Sequence, residues 1–208
     1  MKKLTTVFCF LLLLNVGFAG EPNKGELSAK EKVDRELYDL IGSDELTPKE
    51  RTRLLTIGTN GIETLVALLS TNRTCQTTRA LGVLKIVINK CSPNPDQEKA
   101  AFAAIQRHLD SEDYFARLCA VDALSSIEQV DVVSSVLPLL EDKHVGVRIY
   151  AARTLAVRGD RTTVMKIEEV LKRRTSGLSP EKIAKDGSFK EAQKAITAIL
   201  DREKGTRK

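Results

Sequence analysis

The chain is poor in the residue types on which most enzyme chemistry and most base stacking depend. Its 208 residues include no Trp, three Tyr, six Phe and only two His. Proteins that bind single-stranded nucleic acid stack the bases on aromatic side chains, so this composition argues against that class. His108 and His144 lie at or near predicted turns, without a set of Cys, His or carboxylate ligands at metal-binding spacing. We therefore expect turn histidines and no metal site.

Recognisable catalytic motifs are also lacking. The sequence has no glycine-rich phosphate loop, no Gly-x-Ser-x-Gly nucleophile elbow and no zinc-protease helix motif. It predicts neither a catalytic residue nor a cofactor, and a non-enzymatic role is favoured. The alternative is an accessory enzyme or lyase, which would use a groove of the fold as its pocket.

Long apolar runs are absent except at the N-terminus. Lys2 and Lys3 precede an almost wholly apolar run over residues 4–16, and the small residues Gly17 and Ala19 follow, with Phe18 between them. This order is typical of a secretory signal peptide, residues 1–19, cleaved after the last of them. The run is shorter than the roughly 20 residues of a membrane-spanning helix, so an uncleaved anchor is the less favoured alternative. The sequence predicts an exported protein, periplasmic or secreted, with no membrane span after cleavage.

Neither sign of charge dominates the chain. The full sequence has 33 Lys and Arg against 28 Asp and Glu, and removal of Lys2 and Lys3 leaves 31 basic residues and a net charge of +3. Such a small excess supports solubility and is not the electrostatic footprint of a nucleic-acid-binding protein.

Three cysteines follow the predicted signal peptide. Cys75 and Cys91 lie near opposite ends of one predicted helix. Sixteen residues at about 1.5 Å each separate them by roughly 24 Å, which is beyond disulfide reach. Pairing of either with Cys119 stays open, but small thiols in a helical core are the favoured interpretation.

One segment of the sequence occurs twice. Residues 115–124 align on residues 146–155 at a constant offset of 31, which superposes Arg117 on Arg148 together with an Ala and a Leu. An acidic turn precedes each copy and a second apolar-periodic stretch follows it, so the repeat unit is helix, turn and helix. Such a unit cannot bury its apolar face alone and has to stack on its copies. The sequence therefore predicts an all-α fold, an α-solenoid of stacked antiparallel helix pairs.

Helix start and stop signals extend this pattern along the chain. After a flexible lead over residues 20–27, capping-box spacing starts a helix at Ser28, and about four helix pairs follow. Pro138 is expected to kink the helix that contains it. The predicted pairs are 47–58 with 62–69, 75–90 with a helix carrying Phe102, Ile105 and Leu109, 114–127 with 130–140, and 145–157 with 161–174.

The predicted repeat region, residues 28–174, ends at a break in the pattern. Residues 175–208 are expected to form capping helices and a charged tail, because terminal repeats are usually atypical. Ser188 and Glu191 have the spacing of a capping box at the start of the last helix.

The segment over residues 147–156, with Gly159 and Asp160 after it, resembles the short HEAT-like repeat that also occurs in phycobilin lyases. The shared pattern is a Val-Arg pair, two small residues and a Leu, then a glycine and an acidic residue. The chain departs from it at three positions: Ser125 and Ala156 replace a usual glycine, and Ala116 replaces a usual valine. The resemblance implies an α-solenoid that holds another macromolecule. Lyase activity on cytoplasmic antenna proteins is not expected of an exported chain.

Arg117 and Arg148 are the most specific polar feature, because they recur at the same repeat position. In the favoured, structural interpretation each bonds a carboxylate or a carbonyl of the adjacent turn and the two form a ladder along the stack. The functional alternative is a row of guanidinium groups that binds an anionic partner.

Further basic residues form a candidate binding patch, namely Arg153, Arg158, Lys172, Arg173 and Arg174. The last three end a predicted helix, where cations interact favourably with the negative end of the helix dipole. The leading hypothesis is a scaffold or adaptor that binds a protein partner, and binding of an anionic polymer through this patch is a second alternative. The sequence specifies neither the partner nor the oligomeric state.

Overall fold

The computed structural model describes residues 27–42, 46–70, 74–128 and 131–205. The predicted signal peptide and nearly all of the predicted lead lie outside these residues, as does the side chain of Cys75. The described residues contain no β-strand. Their helices are α1 (Ala29–Gly42), α2 (Pro48–Ile57), a 3-10 turn (Gly58–Gly61), α3 (Ile62–Leu69), α4 (Thr74–Cys91), α5 (Pro95–Gln106), α6 (Tyr114–Leu124), α7 (Val132–Val136), a 3-10 helix (Leu137–Glu141), α8 (Val145–Arg158), α9 (Arg161–Thr175), α10 (Pro180–Lys185) and α11 (Gly187–Gly205).

Capping side chains fix where most helices begin. Thr47, Asn94 and Asp160 each accept a hydrogen bond from the backbone N–H three residues on, and the side chain at that later position bonds back to the cap. Ser28 and Glu31 form the same reciprocal pair. Each box satisfies backbone donors that the helix leaves unpaired, so residues close together in the sequence fix where these helices begin.

The helices form two layers around one continuous core. In the first layer α1, α4, α6, α8 and α11 pack side by side in that order, and in the second layer α3 packs on α5 while the 3-10 helix after α7 packs on α9. The core runs from Leu37 to Ile199 without interruption. The predicted fold class is confirmed: the chain is an all-α, solenoid-like stack of helix pairs.

Pro138 interrupts the second helix of the third pair, where the sequence predicted a kink. The interruption is a change of helix type, because α7 ends at Val136 and a 3-10 helix follows. Proline has no N–H to continue the α-helical hydrogen bonds, and the tighter 3-10 turn accommodates that loss.

The capping box predicted at Ser188 and Glu191 is wrong. Asp186 caps α11 instead, since its Oδ1 accepts hydrogen bonds from the Ser188 backbone N–H at 2.9 Å and from the Ser188 hydroxyl at 2.6 Å. Glu191 forms ion pairs with Arg153 and Lys194 instead of capping the helix. The helix also begins one residue earlier than Ser188, and it packs on α8 as the next member of the first layer.

Candidate interaction surface

Arg117 joins two consecutive repeats. Its Nε and Nη2 atoms donate to the two carboxylate oxygens of Asp142 at 2.7 and 2.9 Å. Its Nη1 atom donates to the backbone carbonyls of Ser111 and Glu112, six and five residues upstream, at 2.7 and 3.0 Å. The residue is only 4% exposed, and four of the five N–H groups of its guanidinium bond to partners inside the protein.

Arg148 repeats this arrangement one unit later. Its Nη2 atom donates to Asp186 Oδ2 at 2.7 Å, and its Nε atom donates to the Ser188 hydroxyl at 3.1 Å. Its Nη1 atom donates to the carbonyls of Asp142 and Lys143, again six and five residues upstream. Asp142 thus binds Arg117 through its carboxylate and Arg148 through its carbonyl.

We call the pairs Arg117–Asp142 and Arg148–Asp186 the arginine ladder. Asp186 occupies the place in front of α11 that Asp142 occupies in front of α8, and each accepts a backbone N–H from the residue two positions on. Six residues after Asp186 the arginine position is taken by Ala192, which is fully buried. The ladder therefore ends at the last helix of the stack.

The ladder carboxylates are held in their charged form. Burial raises the pKa of Asp142, but hydrogen bonds from Arg117 and from the His144 backbone N–H lower it further than burial raises it, so the net pKa is lowered. The bond to Asp142 also raises the pKa of Arg117. At Asp186, burial is outweighed by hydrogen bonds from Ser188 and then Arg148, and that pKa is lowered too.

Arg174, which the sequence placed in the candidate basic patch, binds Asp186 of the arginine ladder. Its Nη2 atom donates to Asp186 Oδ2 at 2.9 Å and to the Ser188 hydroxyl at 3.1 Å. Its guanidinium carbon lies 4.3 Å from the centre of the Phe189 ring. Burial, and then the charge of Arg148, lower the pKa of Arg174.

Three of the other four predicted patch residues also have internal partners. Arg153 pairs with Glu191 at 3.4 Å, Arg158 donates to the Ser125 carbonyl at 3.0 Å, and Arg173 pairs with Glu141 at 3.1 Å. Lys172 is exposed and makes no ion pair within the described residues. Arg153 and Arg158 belong to the first layer, whereas residues 172–174 belong to the second. The predicted patch is therefore split between the two layers, and most of its cations already have a partner inside the protein.

The two histidines lie at turns, half-buried. His108 Nε2 lies 2.9 Å from the Leu69 carbonyl oxygen. His144 caps α8, since its Nδ1 accepts a hydrogen bond from the Gly146 backbone N–H at 3.2 Å. Within the described residues no group of three or more His, Cys, Asp or Glu could hold a metal ion.

The thiols of Cys91 and Cys119 are free and half-buried. Burial, followed by the charges of Asp122 and Asp113, raises the pKa of Cys119 to about 11. This thiol is therefore protonated at neutral pH and is a poor nucleophile.

A group of rings lies exposed where α6 and α8 begin. The Tyr114 ring stacks on the His144 ring at 3.8 Å between centres, and the Phe115 ring meets Tyr114 edge to face at 6.4 Å. Tyr114 is 45% exposed, Phe115 is 50% exposed and Val145 is 40% exposed. We call Tyr114, Phe115, His144 and Val145 the edge patch.

Sequence reasoning did not single out the edge patch. The signal available was the adjacent Tyr-Phe pair directly after an acidic turn, in a chain with few aromatic residues. Periodicity assigns such residues to a helix, but it does not decide which of two neighbouring aromatic residues faces the core when a helix has just begun.

One shallow pocket of about 350 Å³ opens between the end of α9, α10 and α11. Leu171, Ile183 and Phe189 form its apolar wall, and Thr175, Asp186, Lys190 and Gln193 supply its polar groups. Its size is at the lower end of the range for ligand sites. The Asp186 carboxylate already forms ion pairs with Arg148 and Arg174, so its role in this pocket is structural.

No protein-family model matches the chain, and no curated protein matches it significantly. Among solved structures it is similar to a crystal structure of an engineered protein from the Northeast Structural Genomics Consortium. The TM-score is 0.52 at 23% sequence identity, over 83% of this chain and 73% of the engineered one. A likeness at this identity shows the fold alone. Within the described residues no helix is long and apolar enough to span a membrane.

Proposed function

We propose that this protein is a non-enzymatic helical-repeat adaptor, with repeats of the HEAT type, that binds a protein partner in the periplasm or outside the cell. The observation that carries the proposal is the edge patch, an exposed cluster of rings mounted on two consecutive repeats. Exposed aromatic residues held in place by neighbours are the side chains that dominate binding energy at protein interfaces.

The arginine ladder supports the same proposal. It fixes α6, α8 and α11 relative to one another, so a partner would meet a surface that loses little conformational freedom on binding. The ion pairs of Arg153, Arg158, Arg173 and Arg174 count against an anionic polymer as partner, because a polyanion would have to compete with carboxylates already in place.

The test is expression from Met1 with a C-terminal tag in bacteria, followed by light crosslinking, purification and mass spectrometry. The proposal expects a stoichiometric protein partner and an intact mass that lacks residues 1–19. Purification of the chain alone, or with only a small molecule, would contradict the adaptor and favour the pocket beside α10. An intact N-terminus on protein retained in the cytoplasm would contradict export.

A further inference from the structure

The pocket between α9, α10 and α11 combines an apolar wall with an unpaired lysine. Leu171 and Phe189 are core residues, each 7% exposed, and Ile183 packs half-buried against the same core. All three line the pocket, and so does Lys190. Lys190 is exposed, and its ammonium group makes no hydrogen bond or ion pair with another described residue. An apolar surface and an unpaired cation therefore meet in one cavity.

Gln193 extends the polar side of this pocket. It lies three residues after Lys190 on α11, so the two side chains share one face of the helix, and both line the pocket. Gln193 is exposed, and its side-chain amide makes no hydrogen bond within the described parts of the chain. The Thr175 hydroxyl is already used, because it donates to the Leu171 carbonyl at 2.8 Å. An ammonium group and an amide group thus remain to donate to a ligand.

The one carboxylate among the lining residues already has more positive charge beside it than it can neutralise. Arg148 and Arg174 both donate to Asp186 Oδ2, at 2.7 and 2.9 Å, so two positive charges meet one negative charge. The Nη1 atom of Arg174 is buried and has no hydrogen-bond partner among the described residues. Glu141 also lies near Arg174, but it pairs with Arg173. The surroundings of Asp186 therefore carry an excess of positive charge.

The charges of the three helices that frame the pocket point the same way. Residues 161–205 contain 11 basic and 7 acidic residues, a net charge of +4, whereas the chain without residues 1–19 has a net charge of only +3. In this range Lys166 lies near Asp131. The other lysines without an ion pair among the described residues are Lys172, Lys182, Lys185 and Lys190, and the carboxylates without one are Glu168 and Glu181. When each of these carboxylates is set against the lysine four residues after it, Lys182 and Lys190 still have no counter-charge.

We propose that this pocket binds a small apolar monocarboxylate, with the carboxylate on Lys190 and Gln193. The carbon chain lies against Leu171, Ile183 and Phe189. A mostly apolar pocket with a few convergent polar groups is the usual form of a small-molecule site, and a volume of about 350 Å³ suits a single short chain. One lysine matches a singly charged head group, and its bond to a carboxylate is charge-assisted. This inference goes beyond the adaptor function and does not depend on it.

A titration followed by NMR tests the ligand class. The probes are sodium octanoate, octylammonium chloride and sodium acetate, each added to the isotope-labelled full chain. Octanoate is expected to shift the signals of Ile183, Lys190 and Gln193 saturably. It should bind at least about tenfold more tightly than octylammonium, which has the same chain and the opposite charge. Acetate should give no saturable shift at the same concentrations, because burial of the carbon chain supplies most of the binding free energy.

Matched variants locate the contact. Lys190→Gln is expected to weaken octanoate binding about threefold to tenfold, since it removes the charge of one hydrogen-bond donor. Ile183→Ala is expected to weaken it severalfold, because it removes part of the apolar wall. Lys182→Gln is the control: Lys182 is an exposed lysine of α10 that does not line the pocket, so the affinity should stay within about twofold. Thermal unfolding checks that each variant is folded.

Several outcomes would overturn the inference: no saturable binding of octanoate, equal binding of octylammonium, shifts mapped to another surface, or equal effects of Lys190→Gln and Lys182→Gln. A further arm separates a free acid from the C-terminus of a protein, which presents the same carboxylate. Its probe is acetyl-Leu-Leu with a free or an amidated C-terminus. If the free dipeptide acid binds at least about tenfold more tightly than octanoate, the proposed small-molecule ligand is wrong. The titration uses no protein partner, so its result is independent of the crosslinking test of the adaptor.

Discussion

Arg117 and Asp142 form a buried, bidentate ion pair that joins helix α6 to the turn in front of helix α8. Their side chains are 5% and 7% exposed. A buried pair of this kind contributes little net stability compared with a well-packed apolar core, but the loss of one partner leaves a charge that nothing compensates. The ion pair therefore affects the stability of the fold mainly when one of its two members is removed.

Arg117→Ala is expected to destabilise the fold by about 3–5 kcal/mol, because Asp142 would keep its charge in a buried site. Arg153→Ala is the matched control: Arg153 also pairs with a residue of the next helix, Glu191, but the Arg153 side chain is 57% exposed and Glu191 keeps Lys194 as a second partner, so we expect a cost of about 1 kcal/mol or less. Urea unfolding followed by circular dichroism measures both. Equal costs for the two variants would show that the ladder is not a structural connection.

Asp160 should give the protein part of its acid sensitivity. Hydrogen bonds from the Thr162 hydroxyl and from the Thr163 backbone and hydroxyl lower the pKa of Asp160 to about 2. Because the folded pKa lies below the unfolded value, this carboxylate contributes stability above about pH 4, and the contribution is lost as the pH falls towards 2.

Asp160→Asn isolates that contribution. Asparagine keeps the capping acceptor but not the charge, so we expect the variant to be less stable by about 0.3–1 kcal/mol at pH 7, with solvent screening favouring the lower figure. Urea unfolding at a series of pH values should show the difference shrinking between pH 4 and pH 2. A difference independent of pH would contradict the assignment.

Cys119 should react slowly with thiol reagents for an electrostatic reason. With a pKa of about 11, roughly one thiol in a thousand is ionised at pH 8, compared with about one in four for an ordinary cysteine. We expect labelling of the native protein at pH 8 to be at least about tenfold slower than labelling in denaturant, and to keep rising above pH 10. Mass spectrometry of the labelled peptides separates Cys119 from the other cysteines. A native labelling rate that levels off near pH 9 would contradict the raised pKa.

The sequence predicted the helices well because local rules place their ends. Thr47 with Glu50 and Asp160 with Thr163 act within one turn, so the signal and its effect are close in the chain. The 31-residue offset likewise predicted that Arg117 and Arg148 would play equivalent parts, and both do bond a carboxylate and carbonyls of neighbouring turns.

The partners of these arginines could not be predicted in the same way. Asp186 lies 38 residues from Arg148, and only the packing of α11 on α8 brings the two together. The same packing gives Arg174 an internal partner and removes it from the surface patch that its sequence context suggested. Exposure of Tyr114 and Phe115 also depends on which residues of the neighbouring repeat cover them, and a repeat offset does not contain that information.

Two glycines in the described helices and turns should respond to alanine in opposite directions. Gly159 is buried between α8 and α9, and a Cβ atom there would lie 2.6 Å from the Leu155 carbonyl oxygen and 2.9 Å from Ile199 Cδ1. The carbonyl accepts the Gly159 N–H at 2.7 Å and cannot easily move away.

Gly159→Ala is therefore expected to cost about 1–3 kcal/mol, the usual range for overpacking a well-packed site. Gly82 lies in the middle of α4, and apart from its chain neighbours and the backbone of its own helix no atom lies within 4 Å of the position its Cβ would occupy. Gly82→Ala should stabilise the helix by about 0.5–1 kcal/mol, since alanine loses less backbone entropy than glycine does in a helix interior. Thermal unfolding of the two single variants and of the double variant measures these shifts. Because the sites share no contacting residues, the double variant should fall near the sum of the two, and a stabilising effect of Gly159→Ala would show that the close packing of α8, α9 and α11 at this turn is wrong.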